Sequence, residues 1–308
     1  MNIVIYGTGG VGGYFGARLA QAGNNVTFIA RGKQLEAIQK NGLQLISPKG
    51  DYLVKPANAT DAISQITDID LIFVCTKTWQ VAEVAKKIKP VLTENTMVIS
   101  LLNGVQNQDV LCSVIDKKHV LGGLCLIVSK VENYGIINHM SFEPTIVFGE
   151  LNGEISERAL NIEKTLNEAG ITNRLSNAIF KEIWTKFLYI TTVSAIGALT
   201  RSTNGEMIAS PEIYELMKRT SEEIVAVAQA KGVAINAETI ENTYKIIDSM
   251  PFNTTASLQR DMMEGKPSEL EAQNGTVVRL GKELSVPTPV NDFIYYCLLP
   301  QEKRARIN

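Results

Sequence analysis

The feature that most constrains the fold is a glycine pattern near the N-terminus. The apolar run Asn2–Tyr6 leads directly into G-x-G-x-x-G, and a stretch of helical character follows it. Glycines at this spacing permit a tight turn, close approach of a pyrophosphate to the backbone, and close packing of helix on strand. A glycine-rich turn can also serve chain reversal alone, but here strand, glycines and helix come in the required order. The sequence therefore predicts a dinucleotide-binding turn made by Gly7, Thr8, Gly9, Gly10, Val11 and Gly12.

The choice of dinucleotide depends on the residue that follows the second predicted strand. Enzymes that use NAD carry an Asp or Glu about 20 residues after the glycines, where it binds the ribose 2′-hydroxyl. Arg31 occupies this position here, and no acidic residue precedes Glu36. A guanidinium can bind a 2′-phosphate through two hydrogen bonds, whereas a merely solvated arginine at a strand end is the plain alternative. Because the acid is missing, NADP(H) is the predicted cofactor.

The first half of the chain alternates short apolar runs with helical stretches, which is typical of βαβ units in a sheet covered on both faces. The runs predict strands at Ile3–Tyr6, Val26–Ala30, Leu71–Cys75 and Met97–Leu101, and a hairpin from Leu43–Ser47 and Tyr52–Lys55. Further strands are predicted at the far edge of the sheet, at Val120–Ile127, Tyr134–Asn138 and Thr145–Phe148. After about Asn177 the apolar spacing becomes helical. We therefore predict an α/β fold, with an N-terminal Rossmann-type NADP-binding domain (residues 1–175) followed by an all-helical C-terminal substrate and catalytic domain (residues 176–308).

The helices of the second domain are bounded by glycines and prolines. They are predicted at Pro211–Lys231, Glu238–Asp248, Ser257–Glu264, Ser268–Glu283 and Val290–Leu298. Ser268 and Glu271 have the spacing of a capping box, which favours a helix start at that point. The basic run Lys303–Arg306 is expected to be a solvated tail.

Charge and composition argue against several kinds of partner. The formal net charge of −2 and the isoelectric point near 5.9 give no basis for binding nucleic acid or a membrane surface. The chain opens on a strand instead of a secretory signal, and no uninterrupted apolar stretch approaches the ~20 residues of a membrane helix. The four cysteines lack the spacing of a metal site or a disulfide framework. We expect a cytoplasmic protein without a metal that acts on a small molecule, and a homodimer is left open.

Reduction of a carbonyl by hydride transfer needs a proton donor at the developing alkoxide. His119 and His139 follow no catalytic pattern, and a structural role is the ordinary interpretation of both. Tyr214 and Lys218 have the spacing used by short-chain dehydrogenases, but they fall on a helix of the second half. A lysine becomes the leading candidate. Lys186 lies on the first predicted helix after the domain junction, where a solvated lysine beside the buried stripe is the alternative.

Several segments together resemble those of the ketopantoate reductases (2-dehydropantoate 2-reductases), and the resemblance runs along nearly the whole chain. They are Gly7–Gly16 with Arg31, Cys75–Gln80, Leu102–Asn107, Glu182–Lys186 and Ser257–Gly275. The resemblance implies a Rossmann domain and a helical domain, with NADPH and a 2-keto acid in the cleft between them. It also implies reduction of 2-dehydropantoate to pantoate, a step toward pantothenate and coenzyme A.

The resemblance assigns roles to individual residues. It implies that Lys186 is the general acid on the substrate carbonyl oxygen, and that Lys77 and Asn103 bind the cofactor at the ends of strands. It implies that Glu269 binds the substrate hydroxyl and orders Lys186, and that Ser257 binds the substrate carboxylate. Each of the last four has a plainer alternative: a strand-end charge for Lys77, a turn at Asn103, and helix-start residues at Ser257 and Glu269.

One departure from the family's pattern concerns the substrate. Asparagines usually follow the catalytic lysine at the fourth and eighth positions, where this chain has Ile190 and Ser194. The isoleucine side chain cannot form a hydrogen bond, whereas the shorter Ser194 is still predicted to bind the substrate. Two alternatives therefore stand beside ketopantoate reduction: an NADPH-dependent reductase of another 2-keto acid on the same fold, and an NADPH sensor without catalysis.

Overall fold

Two parts of the chain cluster separately in the structure, a computed structural model that describes residues 1–307. Unit 1 consists of Met1–Leu102 and Gln106–Ile179, and unit 2 consists of Asn103–Val105 and the chain from Phe180 onward. The sequence-based boundary lies between residues 175 and 176, and it does not separate Asn103–Val105 from the first domain. Asn308, the last residue of the predicted second domain, lies outside the described residues.

Unit 1 is built on one mixed β-sheet. Its described strands are β1 (Asn2–Tyr6), β2 (Asn25–Ile29), β3 (Leu43–Ile46), β4 (Tyr52–Val54), β5 (Asn58–Thr60), β6 (Leu71–Val74), β7 (Met97–Ser100), β8 (Val120–Asn133), β9 (Ile136–Glu150) and β10 (Thr172–Leu175). Their order across the sheet is β4-β3-β9-β8-β7-β6-β1-β2-β5, and β10 pairs with β9. The strands β7, β6, β1 and β2 are parallel, so Ile3 lies between Leu71 and Val26. The predicted Rossmann-type α/β architecture is confirmed.

Helices supply apolar side chains to both faces of these parallel strands. They are α1 (Gly10–Gln21), α2 (Gly32–Asn41), α3 (Val81–Ile88), α4 (Asn107–Cys112) and α5 (Glu157–Glu168). Ile3 and Ile5 of β1 share a buried cluster with residues of α1 and α5, whereas Val4 and Tyr6 share another with residues of α3 and α4. Because both faces are covered, the parallel strands are continuous apolar runs. Their carboxyl ends meet at one edge of the sheet, where the glycine turn follows β1.

The strands that follow β7 do not lie at the far edge of the sheet as predicted, because β3 and β4 pair beyond β9. Strands β8 and β9 form one long antiparallel hairpin that turns at Tyr134 and Gly135. The predicted strand structure is confirmed at residues 120–127, 136–138 and 145–148. The division of Tyr134–Asn138 and Thr145–Phe148 into two strands is wrong, since β9 runs through both. Register shifts between the two strands keep the segment around Pro144 in the sheet although it interrupts the apolar pattern. The hairpin predicted from Leu43–Ser47 and Tyr52–Lys55 is confirmed by the pairing of β3 with β4.

The described secondary structure of unit 2 is helical, as predicted. Its helices are α6 (Ile179–Thr200), α7 (Asn204–Ala209), α8 (Pro211–Ala230), α9 (Ala237–Ser249), α10 (Ser257–Met263), α11 (Asn274–Glu283) and α12 (Pro289–Ile307). Their buried faces share a core that includes Ile196, Met217, Ile247 and Leu298. Within residues 1–307, α6 alone is long and apolar enough to cross a membrane (mean hydropathy 1.2), and 61% of its apolar stretch is buried in the protein.

The segment that precedes α11 is not helical, so the helix predicted to start at Ser268 is wrong there. The α11 helix begins only at Asn274. The N–H and hydroxyl groups of Ser268 donate to the carboxylate of Glu302, and its hydroxyl oxygen accepts the N–H of Leu270 at 3.3 Å, not that of Glu271 as in a capping box. A contact 34 residues away along the chain therefore overrides the local capping pattern.

The C-terminal end of unit 2 also differs from the prediction. Helix α12 does not stop near Leu298 but continues through Pro300 to Ile307. The basic run Lys303–Arg306 is part of this helix, and Arg306 forms an ion pair with the buried Glu302 at 2.7 Å. The prediction of a solvated segment is confirmed for Lys303 and Arg304, which are exposed. It is wrong for Arg306, which the helix places against a buried carboxylate.

One buried carboxylate in unit 1 joins β9 to α5. Glu150, the last residue of β9, is 6% exposed and accepts a hydrogen bond of 2.6 Å from Ser156 Oγ. Arg158 Nε and Nη2 bind its two carboxylate oxygens at 2.6 Å each, so the ion pair is bidentate. Burial acts to raise the pKa of Glu150, but the hydrogen bonds and charge of Arg158 outweigh it and hold the pKa below its usual value.

Glu150→Gln should lower the free energy of unfolding by about 1–3 kcal/mol at pH 7, because Arg158 and Ser156 lose a charged acceptor. The folded-state pKa of Glu150 is depressed, so the wild-type advantage should be complete above about pH 4.3 and decline as the pH falls through that lower pKa. Urea unfolding of both proteins at pH 7 and pH 3.5 measures the difference. Glu157→Gln, an exposed position of α5, is the control. An equal loss at both pH values would contradict the assignment.

Candidate active site

The first and third glycines of the turn are required by packing, and the middle one borders open space. Gly7 has φ +107°, and a Cβ there would lie 2.8 Å from the carbonyl carbon of Cys75. A Cβ on Gly12 would lie 2.2 Å from the Gly7 carbonyl oxygen. A Cβ on Gly9 would meet nothing within 4 Å. The turn therefore leaves room for a group to approach its backbone at Gly9, which is what a bound pyrophosphate needs.

The turn is fixed by hydrogen bonds within unit 1. The N–H groups of Gly7 and Thr8 donate to the carbonyl oxygen of Ile29 at 3.2 Å, and Thr8 Oγ1 donates to the same oxygen at 3.0 Å. Gln34 Nε2 donates to the Thr8 carbonyl oxygen at 3.0 Å. Helix α1 starts at Gly10 and carries no acidic residue in its first turn, so its N-terminus favours an anion. Sequence reasoning missed Gln34, which no local pattern distinguishes from a surface residue of α2.

Arg31 lies between β2 and α2, where the sequence predicted a phosphate-binding residue. Its side chain is 55% exposed, and its Nη2 lies 3.7 Å from Glu83 Oε1 of α3. Lys87 Nζ binds the same oxygen at 2.6 Å. The hydrogen bond and charge of Lys87, with a smaller contribution from Arg31, hold the pKa of Glu83 below its usual value. The Arg31 guanidinium is thus accessible to solvent, and the Glu83 carboxylate lies next to it.

Lys77, the other predicted cofactor ligand of unit 1, follows β6 and is exposed. Its ammonium lies 5.8 Å from the ring centroid of Trp79, a cation–π distance. Its backbone N–H donates to Gln80 Oε1 at 3.2 Å. The strand-end position that the sequence predicted is confirmed, and the role of the side chain stays a prediction.

Three of the predicted site residues meet in unit 2. Lys186 Nζ donates to Asn103 Oδ1 at 2.8 Å, and Asn103 Nδ2 donates to Glu269 Oε2 at 2.9 Å. Lys186 comes from the second turn of α6, and Asn103 comes from the short segment after β7 that clusters with unit 2. Glu269 lies in the non-helical segment before α11. We name this set the Lys186–Asn103–Glu269 chain.

The two hydrogen bonds of the Lys186–Asn103–Glu269 chain fix the orientation of the Asn103 side-chain amide. An ammonium can only donate and a carboxylate can only accept, so the amide oxygen faces Lys186 and the amide nitrogen faces Glu269. Glu269 is 8% exposed, and Lys186 is partly buried beside the buried Trp184 and Phe187. A proton donor and a buried carboxylate are thus held a fixed distance apart by one side chain, an arrangement suited to general acid catalysis.

The remaining predicted substrate residues lie elsewhere on the helices of unit 2. Ser194 is on α6, two turns after Lys186, and is 2% exposed. Ile190, one turn after Lys186, is partly exposed. Ser257 is the exposed first residue of α10. The hydrogen bonds of the Lys186–Asn103–Glu269 chain do not include these residues, so their contact with substrate stays a prediction.

The other titratable candidates have partners that suit structural roles. His119 Nδ1 lies 2.8 Å from the Thr96 carbonyl oxygen, and His139 Nδ1 lies 2.9 Å from Ser47 Oγ. Tyr214 donates its hydroxyl to Asp248 at 3.2 Å on the surface of unit 2. In the part of the chain that the structure describes, no group of three or more His, Cys, Asp or Glu side chains is arranged to hold a metal ion.

Comparison with known proteins identifies the family. The model of the family described as ketopantoate reductase PanE/ApbA matches residues 3–153, and that of its C-terminal domain matches residues 178–302. The chain belongs to the ketopantoate reductase family. The oxidoreductase YkpB of Bacillus subtilis is 32% identical over 96% of this chain and 97% of its own. The 2-dehydropantoate 2-reductase of Archaeoglobus fulgidus is 32% identical over 94% of each chain.

A solved structure supports the same assignment. The PanE/ApbA family ketopantoate reductase from Ralstonia eutropha is 28% identical to this chain, with a TM-score of 0.91 and coverage of 99% of this chain and 100% of its own. This ketopantoate reductase family member is therefore an oxidoreductase with a Rossmann-type N-terminal part and a helical C-terminal part. The first family match includes the glycine turn, Arg31, Lys77 and Asn103, and the second includes Lys186 and Glu269.

Asn103→Asp should make the stability of the protein fall as the pH rises. The new carboxylate would lie about 2.9 Å from Glu269 Oε2, and two carboxylates at that distance share a proton, so the pKa of the pair is raised. Lys186 offsets only one of the two charges. The variant should lose little stability at pH 5 and more as the pH rises to 8, because a raised folded-state pKa stabilises only below it.

Thermal unfolding at pH 5 and pH 8 measures this effect, with wild type measured at both. Asn103→Ala removes the same hydrogen bonds without adding charge, so its loss of stability should be similar at the two pH values. If Asn103→Asp behaved like Asn103→Ala, the close approach of Asn103 to Glu269 would be wrong.

Proposed function

We propose that this protein reduces 2-dehydropantoate to pantoate with NADPH in the cytoplasm, as a step toward pantothenate and coenzyme A. The observation that carries the proposal is the Lys186–Asn103–Glu269 chain, found in a member of the ketopantoate reductase family. A positioned ammonium suits a carbonyl oxygen that gains negative charge, and a buried carboxylate suits a hydroxyl group of the substrate. The substrate therefore combines a 2-keto acid with a hydroxyl group.

Residues 1–175 would bind the cofactor, and the glycine turn fits that purpose. Open space at Gly9 and the acid-free N-terminus of α1 suit a pyrophosphate. Arg31 would bind the 2′-phosphate through its guanidinium, and Lys77 and Asn103 would complete the cofactor contacts. When bound, NADPH supplies the hydride. Gly9 carries no side chain and borders open space, so the backbone itself would contact the dinucleotide.

Residues 176–308 would bind the substrate and protonate it. An ammonium has three N–H donors, and the bond to Asn103 directs one of them. This bond restricts the Lys186 side chain, and in the proposed reaction the ammonium group also donates to the substrate carbonyl oxygen. Lys186 then transfers its proton to that oxygen as the alkoxide forms. Asn103 does not exchange a proton, and its proposed part here is to hold Lys186 and Glu269 at a constant separation.

Recognition of the rest of the substrate would come from Glu269, Ser257 and Ser194. Glu269 Oε2 accepts from Asn103, which leaves the carboxylate oriented to accept from a substrate hydroxyl with its other oxygen. Ser257 would bind the substrate carboxylate at the first turn of α10, where the free N–H groups of a helix favour an anion. Ser194 would add a hydroxyl on the same helix as Lys186.

A second candidate substrate is a 2-keto acid with a larger apolar side chain. Ile190 is the observation that favours it, because this partly exposed isoleucine follows Lys186 by one helical turn and cannot form hydrogen bonds. An apolar side chain there would pack against alkyl groups and leave a polar substrate unsatisfied. Turnover of ketopantoate against a panel of branched and aromatic 2-keto acids decides between the two.

Lys186→Ala should lower kcat for ketopantoate reduction by ~10²–10⁴ because the general acid is lost. Lys186→Arg should fail as well, since a guanidinium keeps the charge but does not release a proton. Lys181→Ala, an exposed position on the same helix, should retain activity and serves as the control. NADPH oxidation measured with the panel of 2-keto acids tests both the role of Lys186 and the choice of substrate. No turnover of any 2-keto acid by the folded wild type would favour the sensor, and near-normal kcat in Lys186→Ala would move the proton donor elsewhere.

Wild type should bind NADPH at least tenfold more tightly than NADH, a difference of ~1.4 kcal/mol, because Arg31 is available to a 2′-phosphate. Arg31→Asp should abolish or invert this preference. Glu83→Gln should increase it, since the carboxylate 3.7 Å from Arg31 competes with the phosphate. Dissociation constants from titration calorimetry, which need no turnover, give the answer. Equal affinity of wild type for the two cofactors would show that Arg31 does not select between them.

A further inference from the structure

A buried carboxylate in unit 2 holds the residue that precedes Glu269. Glu302 of α12 is 2% exposed. Its carboxylate accepts the Ser268 N–H at 3.0 and 3.2 Å and the Ser268 hydroxyl at 2.6 Å. Arg306, one helical turn later, binds Glu302 at 2.7 Å and donates to the Ser268 carbonyl oxygen at 2.9 Å. The N–H, hydroxyl and carbonyl groups of Ser268 are therefore all bound by one ion pair.

The segment held in this way has little regular structure of its own. It runs from the end of α10 to the start of α11 and includes Gly265, whose φ is +68°. Such a segment fixes its backbone only through specific hydrogen bonds. Glu269 follows Ser268 directly, so a shift of the Ser268 backbone would change the direction of the Glu269 side chain. The Glu269 carbonyl oxygen also accepts the Gln273 N–H at 3.0 Å.

We propose that Glu302 and Arg306 are positioning residues, which act on the reaction by holding Ser268 so that the Glu269 carboxylate meets Asn103. This inference rests on the proposed function of the Lys186–Asn103–Glu269 chain and extends it to α12. Their hydrogen bonds to Ser268 reach the Lys186–Asn103–Glu269 chain through the peptide bond that joins Ser268 to Glu269.

The Glu302–Arg306 ion pair binds Ser268 through more hydrogen bonds than stability of the fold alone requires. A buried ion pair is often no more stabilising than apolar residues of similar size, because both charges are removed from water. Here the desolvated carboxylate is compensated by Arg306 and by two groups of one residue, Ser268. The hydrogen bonds thus converge on the single position next to Glu269 and are not spread along α12.

The same helix offers a matched control. At the other end of α12, Glu223 accepts the N–H groups of Val290 and Asn291 at 2.8 and 2.9 Å. Glu223→Gln therefore weakens a carboxylate–backbone contact of α12 without touching Ser268. Ser268→Ala removes the hydroxyl, which donates to Glu302 at 2.6 Å and accepts the Leu270 N–H at 3.3 Å. Glu302→Gln removes the charge while keeping an oxygen acceptor.

The test compares the three variants with wild type for kcat and for KM of ketopantoate and NADPH, at a temperature where all four are folded. Glu302→Gln should lower kcat by about 10–100-fold and Ser268→Ala by less, because a misplacement of about 1 Å at a site is that costly. KM for NADPH should stay within twofold. Glu302→Gln and Glu223→Gln should each lower the Tm by a few degrees, but Glu223→Gln should leave kcat within twofold of wild type. If Glu302→Gln lost only Tm, as the control does, the positioning role would be overturned.

A second measurement does not depend on turnover. The side-chain amide resonances of Asn103, assigned by comparison with Asn103→Ala, report its hydrogen bond to Glu269 in ¹⁵N spectra. They should shift in Glu302→Gln and Ser268→Ala and stay in place in Glu223→Gln. If wild type reduces no 2-keto acid, the proposed function fails while these spectra still decide the positioning. Unmoved Asn103 resonances in both test variants would exclude it.

Discussion

The close approach of α1 to β1 and β2 is the constraint on which unit 1 depends. A Cβ on Gly12 would meet Ile5 at 2.7 Å as well as the Gly7 carbonyl oxygen at 2.2 Å, and one on Gly16 would meet Phe28 at 2.5 Å. Only glycine allows the helix to lie this near the strands. That distance brings the N-terminus of α1 to the edge where the parallel strands end, and so the anion-favouring turn follows from the packing.

Local patterns were sufficient to predict the parts of the fold that local physics decides. The glycine turn, the parallel strands β1, β2, β6 and β7, and the helical second half all combine a clear period with clear boundaries. The long hairpin of β8 and β9 could not be predicted, because its pairing continues through bulges where the apolar alternation is lost. The continuation of α12 past Pro300 was missed for a similar reason, since tertiary contacts of Glu302 and Arg306 outweigh the local stop signal.

The residues of the candidate site could be predicted, but the hydrogen bonds between them could not. Lys186, Asn103 and Glu269 came from the family resemblance, and residue spacing alone leaves each of them an ordinary surface or turn residue. The two hydrogen bonds that join them cross 83 and 166 positions of sequence, a range over which no local period carries information. The role of Glu302 could not be predicted, because a single acidic residue beside a basic run is typical of a solvated helix end.

An amide between the ammonium and the carboxylate has a consequence that a direct ion pair would not have. Asn103 keeps the two charges apart while it orients both, because its oxygen and nitrogen cannot exchange partners. In the proposed reaction this separation matters, since Lys186 must release a proton while Glu269 stays an acceptor. The amide thus orients the donor and the acceptor at the same time, as the proposed reaction requires.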